Sequence, residues 1–370
     1  MIRKDPNLTK KHNIQWFGPH LAGDEVLYLE RCLTNNYIND GILSRQVEQE
    51  ISNFLGVKYA LTVTNGTSAL AVSLMALGIG VGDEVLVPNF TFAATANAVL
   101  MTGAKPILTD ISEENFCISI ESIQRVQTPS TKAVIAVDVN GRSSNYDQLT
   151  TFCDNSKLHL ICDSAEALGS KNHKKYLGSF GKAGCFSFSA NKTITSGQGG
   201  LIATNDRSLF NRAKEIKDQG RSKQGTGGDD RHNSVGFNFK FTDIQASFIL
   251  AQLKCLKQRL KEAERRDALY RYHLSGINDL IIPNASSEGK EVLQWFDILT
   301  PKRDLITTAF KREKIQHRNF WLPLSQQKIY GSGGHFPYTK KISALGMWLP
   351  SRYDIKEQEI EKIAKTIKSA

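Results

Sequence analysis

The chain has 370 residues, 40% hydrophobic and 23% charged, with 47 Lys and Arg against 37 Asp and Glu for a formal net charge of +10; that is enough chain for one large and one smaller core, with the composition of a globular protein rather than a disordered one. No apolar run approaches the length of a membrane span, and the start Met1-Ile-Arg-Lys-Asp-Pro-Asn has no signal-peptide core. The basic residues are dispersed and match no nucleic-acid module, so the charge reads as solvated surface and, locally, as attraction for a diphosphate.

In chain order, an apolar run at 60–63 leads through a Gly turn to a helical run at 67–77. Free N–H groups and the Thr67 and Ser68 hydroxyls at that helix start suit a phosphate, although an ordinary cap accounts for the same residues. Gly78-Ile-Gly-Val-Gly82 mimics a dinucleotide fingerprint, but it follows a helix and precedes a strand, the reverse of the order that turn requires. Strands are expected at 84–87, 106–109, 133–137, 158–162, 184–188 and 201–203. The unbroken apolar run at 133–137 suits a strand covered on both faces, hence a mostly parallel sheet between helices.

The run at 158–162 ends in Asp163, with Glu166 three residues on. An acid at the carboxyl end of such a strand faces the ligand crevice, or else caps a helix. The run at 184–188 ends in a small polar turn that presents Lys192 ahead of the Gly-rich segment 197–200. Alone, that lysine reads as a loop residue; held between strands it is an amine that can attack a carbonyl. Residues 219–232 are polar and Gly-rich, and Arg221, Lys223 and Arg231 there suit nucleotide phosphates as well as they suit solvent.

After Phe241 the texture changes. Ile249, Leu253, Leu256 and Leu260 recur at helical spacing, which predicts a long amphipathic helix containing the domain boundary: a large domain at 1–250 and a small one at 251–370. A last helix is expected with Asp354 at its N-cap and Ile360, Ile363 and Ile367 on its buried stripe. The six cysteines show no C-x-x-C spacing, which suits free thiols in a reducing cytoplasm, and no metal site is expected.

A phosphate cradle, a strand-end acid and a Schiff-base lysine, in that order, describe a pocket for pyridoxal 5′-phosphate. The lysine holds the aldehyde carbon, the carboxylate keeps the pyridine nitrogen protonated, and the helix start takes the phosphate. With Asn65-Gly-Thr-Ser-Ala-Leu70, Thr91-Phe-Ala-Ala-Thr-Ala-Asn-Ala-Val99, Asp163-Ser-Ala-Glu-Ala-Leu-Gly169, Asn191-Lys-Thr-Ile-Thr195 and Gly236-Phe-Asn-Phe-Lys-Phe-Thr-Asp-Ile244, the chain resembles, over nearly its whole length, the nucleotide-sugar aminotransferases of the fold-type-I pyridoxal phosphate enzymes.

The resemblance implies an α/β fold, with a large cofactor-binding domain built on a mostly parallel seven-stranded sheet and a smaller C-terminal α+β domain. It implies that Lys192 carries the cofactor and moves the proton, that Asp163 pairs with the ring nitrogen, and that Glu166 lies near the ring hydroxyl. Phe92 would stack on the ring, and Thr67, Ser68 and Ser187 would bind the phosphate. Asn238 or Lys240 would reach that phosphate from the neighbouring subunit of a homodimer. The implied substrates are L-glutamate and a nucleotide-linked keto-sugar, a 4-keto-6-deoxyhexose, for cell-surface polysaccharide such as O-antigen or for secondary metabolites.

Alternatives are the 3-keto position, another carrier or a free sugar, and a non-catalytic protein that keeps the pocket. A sugar 3-dehydratase of this fold characteristically has His in place of the lysine, so Lys192 argues against it. Asp138 and Asn140 stand where relatives usually show His and an aromatic, Gln198 where Glu is common, and Ser325 where His is frequent; these positions bear on which sugar is taken.

Overall fold

All seven apolar runs pair into one sheet. In the computed structural model, which describes residues 14–21, 23–35, 37–221, 231–284, 290–331 and 333–370, they are β1 (Tyr59–Val63), β2 (Glu84–Pro88), β3 (Lys105–Thr109), β4 (Thr131–Val137) and β5 (His159–Asp163). After a small hairpin of β6 (Lys171–Asn172) and β7 (Lys175–Tyr176) come β8 (Ala183–Ser187) and β9 (Gly200–Thr204). The order across the sheet is β1-β9-β8-β5-β4-β2-β3. Strands β8, β5, β4, β2 and β3 run parallel, while β9 runs against both neighbours, β1 and β8. The expected strand at 184–188 ends one residue early at Ser187; the Phe188 N–H still donates to the Gly199 carbonyl (2.8 Å) in register, but the Phe188 carbonyl accepts from the Ser196 N–H (3.1 Å) of the following turn.

Alternating side chains of these strands enter opposite cores. Ala133, Ile135 and Val137 of β4 face α3 (Gly66–Ala76), α4 (Ala94–Met101) and α7 (Arg207–Lys217), whereas Val134 and Ala136 pack with α6 (Tyr146–Asn155). Ala60, Phe186 and Leu201 meet α2 (Ile42–Leu55) and the start of α8 (Asp243–Leu274). Helices α1 (Glu25–Thr34) and α5 (Ile120–Val126) complete this part.

The predicted long helix is α8, 32 residues opened by a capping box between Thr242 and Gln245. It carries the chain from the Ile249 and Leu256 core into a second one, where Tyr270 and Leu274 pack beside β10 (Phe296–Leu299) and β12 (Gly346–Leu349). The antiparallel order there is β10-β12-β11, with β11 at Arg318–Asn319, flanked by α9 (Arg303–Arg312), α10 (Pro337–Leu345) and α11 (Glu357–Lys368). The parallel sheet and the C-terminal α+β unit are those expected. The α11 stripe Ile360, Ile363 and Ile367 is buried, but its N-cap is Lys356, not Asp354. Asp354 instead pairs with Arg352 (3.1 Å), and Glu359 accepts the Lys356 N–H (2.9 Å). No helix among the described residues is long and apolar enough to cross a membrane.

Candidate active site

The carboxyl ends of β1, β5 and β8 open on a cleft of about 420 Å³ lined by Thr67, Phe92, Asp163, Glu166, Ser187 and Lys192. Six residues singled out from the sequence, spread over 126 positions (67 to 192), are thereby brought to one place. Open α/β sheets collect ligands at this edge because the helices that follow the strands begin there.

At the cradle, Asn65 caps α3 and its Oδ1 accepts the Ser68 N–H (2.8 Å). The N–H groups of Gly66 and Thr67, at the first two helical positions, have no intrahelical acceptor. Two glycines allow the approach. A Cβ on Gly200 would lie 2.3 Å from the Asn65 carbonyl oxygen, and one on Gly66 would lie 3.0 Å from the Ser187 Cβ. Ser68 is buried away from the cleft lining, its hydroxyl 3.1 Å from that of Thr64.

At the acid, Thr95 Oγ1 donates to Asp163 Oδ2 (2.8 Å), and the Ala165 N–H reaches Asp163 Oδ1 (3.3 Å); Thr91 Oγ1 lies 2.8 Å from Thr95 Oγ1. Asp163 opens a turn rather than a helix, so the capping alternative falls away. Burial pushes its carboxyl up to about 6 against those two hydrogen bonds, with Glu166 adding to the rise and Lys192 opposing it. Lys192 Nζ lies 3.2 Å from Glu166 Oε1 and 5.5 Å from the centre of the Trp295 ring. The other oxygen of Glu166 accepts the Asn140 N–H (3.0 Å). Phe92, 54% exposed, stands at the cleft wall.

Other members of the lining carried no expectation: Thr95, Trp295 and Trp321. Thr95, in the first turn of α4, meets Thr91 of the preceding loop four residues back, a local spacing readable in the chain; the tryptophans arrive from 130 and more residues beyond the acid and left no such signal. Their Nε1 atoms are buried without an acceptor among the described residues. Arg318, the first residue of the Arg-x-x-x-x-Pro stretch, also lines the cleft and makes no ion pair within 4.0 Å among the described residues. Burial lowers its pKa and Glu166 opposes that.

Of the four departures, Gln198 lines the cleft. Ser325 accepts from Asn89 Nδ2 (3.0 Å) and donates its N–H to Asn89 Oδ1 (2.8 Å). Asp138 is buried and accepts from Tyr146 Oη (2.7 Å) and Ser164 Oγ (2.6 Å). Lys240 and Asn238 stand outside the lining, with Lys240 Nζ 3.1 Å from Asp218 Oδ1. Lys223 lies outside the described residues.

A largely enclosed amine, a buried carboxylate and an unpaired helix start around one cavity fit pyridoxal phosphate by donor chemistry. The model of the DegT/DnrJ/EryC1/StrS aminotransferase family matches residues 19–368. The chain is 33% identical to GDP-perosamine synthase of Vibrio cholerae over 363 residues, 95% of this chain and 98% of that protein. It is 32% identical to UDP-N-acetyl-3-dehydro-α-D-glucosamine 3-aminotransferase of Acidithiobacillus ferrooxidans over 332 residues, 89% and 88% of the two. The crystal structure of DesI in the presence of its TDP-sugar product is similar with a TM-score of 0.90 at 25% identity, covering 98% of this chain and 93% of that one.

Proposed function

We propose that this protein, which belongs to the DegT/DnrJ/EryC1/StrS aminotransferase family, moves an amino group from L-glutamate to a 4-keto-6-deoxyhexose carried on a nucleoside diphosphate. It is a pyridoxal phosphate-dependent aminotransferase. One observation carries the reading: Lys192 Nζ, Asp163 and the start of α3 border a single cleft. When bound, the cofactor supplies an aldehyde that exchanges for an amine and a protonated ring that accepts electrons.

The chain's own groups do the rest. The free N–H groups of Gly66 and Thr67, with the Thr67 and Ser187 hydroxyls, bind the phosphate. Ser68 acts one step removed, through the cap it completes with Asn65. Asp163, with a pKa of about 6, is ionised at neutral pH and holds a proton on the ring nitrogen. Lys192 Nζ, 3.2 Å from Glu166 Oε1, would be the base that moves a proton between the substrate carbon and the cofactor, off the donor carbon in the first half and onto the sugar carbon in the second. Phe92 covers the ring from the cleft wall. Arg318 meets the donor carboxylate by charge and fork geometry, and the unpaired indole N–H groups of Trp295 and Trp321 suit sugar oxygens.

The C4 ketone and the glutamate donor rest on the motif resemblance. The similarity to a 3-aminotransferase supports a second reading, amination at C3. We assign the working unit as a homodimer in which Asn238 or Lys240 reaches the partner's phosphate site; exposed Val235 and Phe237 beside them support a covered surface there. With the boundary placed between 250 and 251, Trp295, Arg318 and Trp321 come from the small domain and the other cleft residues from the large one. Six free cysteines suit the cytoplasm, and the amino sugar would serve surface polysaccharide such as O-antigen.

The test is the absorption spectrum of purified protein loaded with pyridoxal phosphate. A visible band that moves to shorter wavelength on adding L-glutamate is expected, with NMR of the sugar product locating the new amine. Lys192→Ala should keep its fold by circular dichroism and lose turnover by ~10³-fold or more. Retained activity in that variant would sink the mechanism, and a band indifferent to L-glutamate would remove the proposed donor.

A further inference from the structure

Asn140 is fully buried at the end of β4, in the left-handed region with φ 55° and ψ 23°. Asparagine tolerates that conformation better than most residues. All four of its polar groups are engaged. The backbone N–H donates to Glu166 Oε2 (3.0 Å), and the carbonyl accepts the Gln294 N–H (3.2 Å). The side-chain Nδ2 donates to the Trp295 carbonyl (2.8 Å), and Oδ1 accepts the Trp295 N–H (2.8 Å). The amide thus pairs with Trp295 as a peptide group would, one rung of a ladder made by a side chain.

Both partners converge on the reacting lysine. Glu166 leaves Oε1 facing Lys192 Nζ at 3.2 Å, and the Trp295 ring centre is 5.5 Å from the same nitrogen. Gln294 extends the grip, its Nε2 donating to the carbonyl of Asn191 next to the lysine (3.1 Å). The neighbouring Gly141 has no room for a side chain, since a Cβ would meet the Val292 carbonyl oxygen at 2.3 Å. The segment 292–295 is therefore held against the end of β4, and Asn140 is the polar pin of that contact on the side of the lysine.

We propose that Asn140 is a positioning residue that sets, from one buried point, the carboxylate and the aromatic wall facing Lys192. This rests on the aminotransferase reading. Lys192 faces Glu166 directly, with Asp163 and Arg318 the other charged groups of the cleft. Asn140→Gly keeps the backbone conformation and the N–H to Glu166 and removes only the rung to Trp295. Asn140→Asp keeps the shape but loses the donor to the Trp295 carbonyl. Ser170→Ala is the control. It breaks the two bonds of Ser170 Oγ with Val292 (2.9 and 3.2 Å) in the same contact, away from the lysine.

The readout is the pH midpoint of the visible band of the pyridoxal phosphate-loaded protein, with kcat and KM alongside. Of the two Asn140 variants, Asn140→Gly should lower that midpoint by about 0.5–1 unit, because a Trp295 ring no longer pinned beside the nitrogen stabilises its protonated form less, whereas the carboxylate that Asn140→Asp adds acts in the opposite direction. Both variants should lower kcat about tenfold. Ser170→Ala should lower the melting temperature and leave midpoint and kcat unchanged. Asn140 variants that melt lower but titrate and turn over as the wild type does would overturn the proposal while leaving the aminotransferase reading intact. Wild-type protein that forms no band with pyridoxal phosphate would overturn that reading, and this inference with it.

Discussion

Asp138 and Asp163 end adjacent strands, tied by the Asp138 N–H to the Asp163 carbonyl (3.0 Å). Burial raises both carboxyls, Asp138 to about 8 with Asp163 and Glu291 adding to the rise against hydrogen bonds from Ser164 and Tyr146. A carboxyl raised in the folded state contributes stability that is full below its unfolded pKa of roughly 4 and is lost as pH rises through the folded value. For Asp138 that window runs to about 8, and for Asp163 to about 6. Cofactor-free protein should therefore melt lower at pH 8.5 than at pH 5. In Asp138→Asn the Asp138 part of that slope disappears, so the variant gains on the wild type by a few degrees, to order of magnitude, between those two pH values. Parallel melting curves for the two proteins across that range would show that Asp138 is not protonated in the native state.

Elements are held in place by caps drawn from far away. Helix α10 has no side-chain cap of its own, and buried Asp110, after β3, supplies it. Its carboxylate accepts from the Tyr338 N–H (3.1 Å), the Thr339 N–H (2.9 Å) and Thr339 Oγ1 (2.7 Å). Asp243 does the same for α2, accepting from the N–H groups of Gly41 (3.0 Å), Leu43 (3.1 Å) and Ser44 (2.9 Å). Asp110→Ala would leave two N–H groups and a hydroxyl without an acceptor, a cost of about 2 kcal/mol. Urea unfolding should show it, and a loss below ~0.5 kcal/mol would mean water takes over the cap. Local signals could place the strands because an unbroken apolar run is read from neighbouring residues, whatever partner the strand later pairs with. Asp354 misled because its nearest charge, Arg352, drew it away from the helix start.

At the scale of the molecule, the end of β4 is joined to the C-terminal sheet by Asn140 with Trp295 and by Arg142 with Asp297, a fully buried ion pair at 2.6 and 3.1 Å. The Arg142 guanidinium also sits 4.9 Å from the Phe116 ring centre. Asp297→Ala would strand a buried guanidinium at a cost of about 3–5 kcal/mol, while the double replacement Arg142→Met with Asp297→Leu should cost far less. Chemical denaturation of the two variants checks this, and equal losses would mean the charge is solvated once its partner is gone.

The sequence by itself determined the seven strands, the start of α3, the long helix, and the order cradle, acid, lysine, because each depends on periodicity or on residues a few positions apart. Family membership followed from the same motifs. Only the tertiary structure decided what surrounds the lysine. Thr95 on Asp163, Glu166 on Lys192, and Trp295 and Arg318 in the wall of the same cleft bring together segments distant in the chain. Such contacts leave no period in the chain. They arise because packing the β4 end against 292–297 buries polar groups, and buried polar groups must find partners wherever the fold brings them.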